Sequence, residues 1–557
     1  LCFHIFTIGH HLLSFVMQTL LTSKNLDHLG LVSGMCDRLE IASEIDRLLP
    51  NVNGLHQVST GTCVKALILN GLGFSERRLY LTPKFFEDKP IAHLLGAGLS
   101  ASMLNDDRLG RCLDDLYEYG VSKLFSDLAA HSYDLLGLGK EVGSEFRHLD
   151  STSFSLEGRY NSDLSESTTC LHLTKGYSRD HRPDLNQVML NLVVENSAGI
   201  PLLMEGLHGN SSDQTTFRDT VSDYVERLGS NGKPICWVAD SAFYTEETLR
   251  KHSGHYYWIS RVPAKLTEAQ EALRLVSEQH MFFFSNPALE NYRYQPICST
   301  YGGVQQEWLV IFSEAAYQRE VATLQKNYLK QSVEELKAFD QLSKKKFRCQ
   351  ADAHQALKDF QKKCKYLRIE NPYCEEIRGF KTRGKPPKDA QKQIIGYHIR
   401  GNSTTQIAHY QDLKQTKGKF IIASNDTSER WSKMDKFLTY KDQSKVEKGF
   451  RFLKDPSFLA DHFFVKKPER IEAILLIMTL SLMVYAALER ELRKQLQAKE
   501  VFVPNQVKKD TQKPTMKWIF ELFKGIHCLF IDQQQPMIIL NLKEVHLKVI
   551  GLLGQEI

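Results

Sequence analysis

Two apolar runs, residues 187–194 and 201–205, are separated by Glu195-Asn-Ser-Ala-Gly199. Strand-prone runs broken by a short polar link that ends in glycine read as an antiparallel hairpin. That hairpin constrains what lies on either side of it. Before it, residues 146–154 (Phe-Arg-His-Leu-Asp-Ser-Thr-Ser-Phe) read as a short strand ending in polar residues. After it, a polar helix candidate covers 212–228. Residues 234–240 (Pro-Ile-Cys-Trp-Val-Ala-Asp) form an apolar run terminating in an acid, the pattern of a buried strand. Residues 246–252 suit a short helix and 255–260 another strand. The order strand, strand, strand, helix, strand, helix, strand folds as a mixed sheet with helices packed against it.

The fold class is therefore α/β, with an RNase H-like mixed-sheet catalytic core. In such a sheet the first and fourth strands are neighbours, so Asp150 and Asp240 are expected to meet. Residues 141–264 form the first part of the core, 265–409 an inserted α+β domain, and 410–497 the second part. The insert holds strand-like segments at 291–300 and 305–312, a charged helical stretch at 315–365, and a Gly/Pro/Lys-rich loop at 378–388. A strand near 393–399 follows, then a turn and strand at 417–425. Ahead of the core, 28–140 read as a helical N-terminal domain, with amphipathic pieces at 36–49 and 106–135. From these residues it reads as a structural layer; the resemblance described below would make it a candidate for DNA end binding. Residues 1–27 are an extension that is apolar but carries His4, His10 and His11, a poor signal peptide. Met17 or a position near it is the expected natural start. Residues 498–557 read as a Lys/Gln/Pro-rich linker and a tail.

Composition narrows the class without choosing a function. A chain of 557 residues divides into two to four domains at roughly 150 residues each. With 42% hydrophobic and 25% charged residues there is material for a large core. A net charge of +5 is mildly basic, compatible with nucleic acid but not diagnostic. Eleven cysteines without a Cys-x-x-Cys pair indicate neither a zinc site nor a disulfide framework, which favours a reducing compartment. The most apolar stretch, 473–488, contains Thr479 and Ser481. It falls short of the roughly 20 residues of a membrane span, so a buried core helix is expected.

Residues 440–454 carry the chemistry. On one helix, with about 100° per residue, Tyr440, Gln443, Glu447 and Lys454 share an arc of about 60°. Val446, Phe450 and Leu453 form an apolar stripe beside it. A carboxylate flanked by a phenol, an amide and an ammonium suits a phosphate-handling site; a surface helix of mixed charge fits the same spacing. Cutting a phosphodiester needs an in-line nucleophile and a stabilised leaving oxygen, and two divalent ions about 3.5–4 Å apart serve both. A few carboxylates suffice for Mg²⁺. Asp150, Asp240 and Glu447 are the candidates among 66 acidic residues. Singly, each is as well read as a turn former or cap.

The arrangement resembles the insertion-sequence DDE transposases, whose third acid lies in a Tyr-(2)-Arg-(3)-Glu-(6)-Lys signature (YREK type). Here that signature reads Tyr440-(2)-Gln443-(3)-Glu447-(6)-Lys454. His148-Leu-Asp150-Ser-Thr152 looks like the first-acid motif, and Val238-Ala-Asp240-Ser-Ala-Phe243 like the second. Tyr177-Ser-Arg-Asp-His-Arg-Pro-Asp184 and Gly418-Lys-Phe-Ile-Ile-Ala-Ser-Asn425 also look like family segments. The likeness runs over roughly residues 27 to 530. It implies cleavage at the ends of a bacterial mobile element, then strand transfer of the freed 3′-OH. It also implies that Asp150, Asp240 and Glu447 hold two Mg²⁺ ions, with Mn²⁺ as a substitute. Tyr440, Gln443 and Lys454 would contact DNA near the scissile phosphate. The partners it implies are double-stranded DNA, as terminal inverted repeats and target, and a second copy in a homodimeric synaptic complex. No membrane partner is implied, and the setting is a bacterial cytoplasm, at the nucleoid.

Gln443 departs from the signature, which has Arg there, and this removes a cation able to bind phosphate bidentately. Arg179, His181 and Arg182 suit the DNA backbone or a solvated turn. Lys385, with Lys381, Arg383 and Lys388, forms a basic loop suited to phosphates or simply exposed. Trp308 suits a flipped base or, better, the core. His208 has no partner at ligand spacing in the sequence. Two other readings remain: a nuclease of the same fold without strand transfer, and an inactive relic that only binds DNA.

Overall fold

The computed structural model describes residues 21–51, 56–74, 81–156, 171–176, 182–211, 234–252, 254, 256–380, 389, 391–455, 465, 467–531 and 534–554. The chain divides into two compact units. One comprises Leu1–Ser260, Gly302–Val304 and Asp435–Ile557; the other comprises Arg261–Tyr301 and Gln305–Met434.

The first unit opens with β1 (Leu21–Asn25) and a helical layer. The layer contains α1 (Leu29–Arg38), α2 (Ile41–Leu48), α3 (Thr60–Leu72), α4 (Thr82–Phe86), α5 (Ile91–Leu95), α6 (Asp106–Tyr119) and α7 (Val121–Leu135). The amphipathic pieces of the sequence are each split. Residues 106–135 break at Gly120, whose φ of 101° only glycine adopts without strain. The break near residue 40 places Glu40 at φ 53°. Ser59 and Asn105 cap α3 and α6 by accepting the N–H of Thr62 and Arg108.

A mixed sheet follows: β2 (Phe146–Leu156), β3 (Asn186–Glu195), β4 (Pro201–Leu207), β5 (Cys236–Ala239) and β6 (Tyr257–Arg261), with α8 (Glu246–His252) before the last. The spatial order is β4-β3-β2-β5-β6. β2, β3 and β4 are antiparallel, while β5 runs parallel to β2 and β6 parallel to β5. The first and fourth strands are thus neighbours. The hairpin link is built by Glu195, whose carboxylate accepts the N–H groups of Ser197, Ala198 and Ile200. Residues 212–228 lie outside the described residues.

The second unit is α+β. It contains α9 (Thr267–Leu275), β7 (Phe282–Phe283), β8 (Tyr292–Tyr301), β9 (Val304–Ser313), α10 (Glu314–Lys344), α11 (Gln350–Lys363), β10 (Leu367–Gly379), β11 (Gln393–Thr405), α12 (Ile407–Gln415) and β12 (Lys419–Ser424). β12 pairs with β9, whose Trp308 is buried and donates Nε1–H to Gln306 at 3.2 Å. The sequence grouped residues 417–425 with the second part of the core; the structure gives them to this unit, because β12 pairs with β9. β10 and β11 form a separate two-stranded ribbon.

The chain then returns to the first unit through α13 (Lys433–Asp442), α14 (Ser444–Leu453) and α15 (Pro468–Ala498). Helix α15 begins with Pro468 and Glu469, both favoured in a first turn. By length and composition it could cross a membrane, yet 83% of its most apolar window is buried inside the protein. The hydroxyls of Thr479 and Ser481 donate to the carbonyls of Leu475 and Ile477, each at 2.8 Å, so their burial leaves no donor unpaired. The helix packs against α1, α3, α6, α7, β4 and α14. Arg470 locks it to α6 through a two-bond pair with Asp114, both at 2.7 Å.

The region expected to be a linker and a tail is structured. Residues 503–511 form a small hairpin, β13 (Val503–Pro504) with β14 (Asp510–Thr511). Then come α16 (Met516–Leu522), β15 (His527–Ile531), β16 (Gln534–Leu540) and α17 (Glu544–Leu553). β15 pairs with β1, so the two ends of the described chain close on one three-stranded sheet.

His28 sits at this closure. Its ring stacks on Phe520 with centroids 4.2 Å apart, and its Nε2–H donates to the Leu72 carbonyl at 2.7 Å. Burial pushes its pKa from 6.5 down to about 4, so the native ring is neutral. The unfolded chain therefore binds the extra proton first. Stability is complete above about pH 6.5 and lost as pH falls toward 4, by about 3 kcal/mol in all. Denaturant midpoints measured from pH 7 to pH 4 should show this loss, and a His28→Asn variant should show a correspondingly shallower decline. An unchanged decline in the variant would rule His28 out as its source.

Candidate active site

Asp150 lies midway along β2, and Asp240 follows the last residue of β5. Parallel pairing sets Leu149 opposite Ala239. The two aspartates are the next residues in that register, so they leave adjacent strands side by side, with strands about 4.8 Å apart. Asp150 is only 8% exposed, and its Oδ1 accepts the Ser151 N–H at 2.8 Å. Asp240 closes a turn in which its Oδ1 accepts the Ala242 N–H at 2.9 Å. The Ser260 hydroxyl on β6 donates to the Asp240 carbonyl at 2.7 Å, fixing the turn against the sheet.

Residues 440–454 do not form one helix. Tyr440 is on α13 and Glu447 on α14, with Gln443 between them. There the chain tightens: the Gln443 N–H bonds the Tyr440 carbonyl and the Val446 N–H bonds the Gln443 carbonyl, both three-residue steps. The Gln443 side chain reaches down to β2 at this point. Its Nε2 donates to the Leu149 carbonyl at 2.9 Å, and its Oε1 lies 3.0 Å from His148 Nδ1. Burial lowers the His148 pKa, so the ring is neutral with one N–H. The Leu149 carbonyl fixes which way the Gln443 amide faces, and this puts the ring proton on Nδ1. Nε2 then accepts from the Asn196 side-chain amide, whose NH2 end must take the position 2.8 Å from the ring where Oδ1 is placed. Lys445 adds a second tie, donating to the Asn196 carbonyl in the hairpin turn.

These ties seat α14 over β2. Val446, Phe450 and Leu453 are buried, as the apolar stripe predicted. Glu447 is in the first turn of α14 and exposed. It lines an open cleft of about 510 Å³ with Asp150, Thr152, Phe450, Arg451, Lys454 and Asp455. The Lys454 ammonium stands 5.7 Å from the centre of the Phe154 ring on β2. Asp455 is held by Lys517 at 2.5 Å. Three carboxylates are hard oxygen donors of the kind that suits Mg²⁺ or Mn²⁺. Among the described residues, no group of three His, Cys, Asp or Glu side chains already stands at metal-binding spacing.

The other sequence candidates are placed differently. Gln443, expected at DNA, is 7% exposed and spends its amide on protein partners. Tyr440 is half-buried on α13 and is not among the described residues lining the cleft. Arg182 is exposed and paired with Asp184 at 3.0 Å. Arg179, His181 and the loop around Lys385 lie outside the described residues. Trp308 is a core residue. His208 does have a partner: His172 stands 4.6 Å away ring to ring, and its N–H donates to His208 Nδ1. Sequence reasoning missed Arg451, although its position four after Glu447 puts it one turn further along the same face.

Comparison with known proteins adds to this geometry. Residues 143–303 match the family model described as a transposase DDE domain. The match takes in Asp150 and Asp240 and ends before Glu447. Residues 21–130 match a family described as a domain of unknown function (DUF4277). No curated protein matches the chain. Among solved structures, a cryo-EM structure of a piggyBac transposase synaptic complex with hairpin DNA aligns at 9% identity, covering 88% of this chain and 79% of that one. Its TM-score of 0.36 is too low to fix the arrangement of this chain.

Gln443 is a structural residue, its amide bonded to the strand that carries Asp150. Gln443→Ala removes a bond to the Leu149 carbonyl and leaves a buried imidazole N–H unpaired, at a cost of about 1–3 kcal/mol. Equilibrium denaturation should report that loss; a change below about 0.5 kcal/mol, typical of surface substitutions, would contradict the clamp.

Proposed function

We propose that this protein is a DDE transposase of a bacterial insertion sequence, cutting DNA at the element's ends and joining the freed ends to target DNA. The observation that carries this reading is the register of β2 and β5. It sets Asp150 beside Asp240, while Glu447 shares the cleft of Asp150. The strand order β4-β3-β2-β5-β6 is that expected of an RNase H-like core, with the second unit as the insertion between β6 and α13. The match of residues 143–303 to a transposase DDE domain supports the same chemistry.

In this reading Asp150, Asp240 and Glu447 hold two divalent ions, Mg²⁺ or Mn²⁺, which when bound polarise the phosphodiester and the attacking oxygen. The chain's own residues orient the substrate. The Gln443 and Lys445 ties keep Glu447 over β2, and Lys454, held against Phe154, offers a cation at the cleft. In the first step water attacks phosphorus. An O–P bond forms as the P–O3′ bond breaks, and the departing 3′ oxygen takes a proton. In the second, that 3′-OH attacks a target phosphodiester, forming one P–O bond as another breaks and giving up its proton to solvent. The partners are the terminal inverted repeats, the target duplex and a second copy of the chain in the synaptic complex; the setting is the bacterial cytoplasm.

A plasmid carrying the gene with its native flanking DNA provides the test. With Mg²⁺, the purified protein should cut at the flanks and yield joined products, and chelation should stop both. Asp150→Asn, Asp240→Asn and Glu447→Gln should each abolish cutting while keeping stability within about 1 kcal/mol of wild type. Cutting that survives Asp150→Asn would refute the assignment. Cutting without joining would leave a nuclease, and end binding without cutting a relic.

A further inference from the structure

We infer that Arg451 is the residue through which α14 grips a phosphate of the DNA strand in the cleft. The inference rests on the DNA-cutting reading above and extends it to a residue that neither the signature spacing nor the family match covers.

Most charged side chains lining the cleft are already engaged within the protein. Asp150 accepts the Ser151 N–H, Lys454 lies against the Phe154 ring, and Asp455 is paired with Lys517. Gln443, one turn before Glu447, is buried under the helix and turned toward β2. Arg451 differs. It is exposed, it lines the cleft, and among the described residues it makes no hydrogen bond, ion pair or ring contact.

That is unusual for its position. Glu and Arg four apart on a helix are well placed to pair with each other. Glu447 and Arg451 hold this spacing on the same face, yet among the described residues no ion pair joins them. Both groups are therefore available to the cleft, the carboxylate one turn before the guanidinium and about 6 Å along the axis. A phosphodiester has what this pair can divide: oxygens that a planar guanidinium binds by two parallel N–H bonds, and a phosphorus centre that acid-held cations serve. Burial of Val446 and Leu453 on the adjoining stripe anchors the helix, and Arg451 lines the cleft.

The test uses full-length protein and a labelled 30-bp duplex of arbitrary sequence. Affinity is measured from about 50 to 200 mM salt, alongside metal-dependent cutting of the flanked plasmid. Arg451→Ala should lower the slope of log K against log salt by about one, the signature of one lost phosphate contact. It should also slow cutting by about tenfold or more. Arg451→Lys should restore the salt slope but only part of the cutting, because an ammonium keeps the charge and loses the fork. Lys448→Ala, an exposed cation on the same helix outside the cleft lining, should change neither. An unchanged slope with Arg451→Ala, or an equal loss with Lys448→Ala, would overturn the inference. If wild-type protein binds the duplex but never cuts the plasmid, the transposase reading falls, and the salt slope still judges Arg451.

Discussion

Burial of α15 is the constraint from which the first unit hangs. A helix of 31 residues with this apolar content must be covered on nearly every side. The N-terminal helices cover one part, β4 another, and α14 a third. The chain's C-terminal region completes the cover, with α16 and α17 packed on the same helix. This explains why segments far apart in sequence share one core. It also explains why the ends of the described chain meet: β1 and β15 pair beside elements that both need α15 as a floor.

The site depends on a smaller set of contacts above that core. The side chain of Gln443 binds the carbonyl of Leu149, the residue before Asp150, and the ring of His148, two before it. A single amide therefore fixes the distance between the helix that carries Glu447 and the strand that carries Asp150. The cost is a tightened turn that splits the helix in two. A buried cation at the same position would have to leave water. In this chain a neutral amide takes the place beneath the helix, and the exposed guanidinium of Arg451 stands at the cleft one turn beyond Glu447.

Much of this was legible in the residues, for physical reasons. The hairpin at 187–205 was readable because Glu195 and Gly199 bracket a turn between runs that can only be strands. Asp150 and Asp240 were singled out by their places on two candidate strands and by the family resemblance of the segments around them, since either acid alone reads as well as a turn former. Trp308 was readable as core from its apolar neighbours. Other features were not. Residues 417–425 look like any strand, and only pairing with β9 assigns them to the second unit. The tail's apolar segments are short, and its fold comes from contacts with α15 and β1 that no local window contains. Arg451 was visible as a charge but not as an unpaired one.

By itself, the sequence determined the strands of the mixed sheet, the strand order that makes β2 and β5 neighbours and the buried stripe of α14. These follow from periodicity and turn chemistry, which act over a few residues. Tertiary structure alone decided that Gln443 lies under its helix, that Lys454 and Asp455 are held by Phe154 and Lys517, and that Arg451 is left unpaired beside Glu447. Those outcomes depend on which partners the rest of the fold brings within hydrogen-bonding reach, across separations of up to about three hundred residues in the chain.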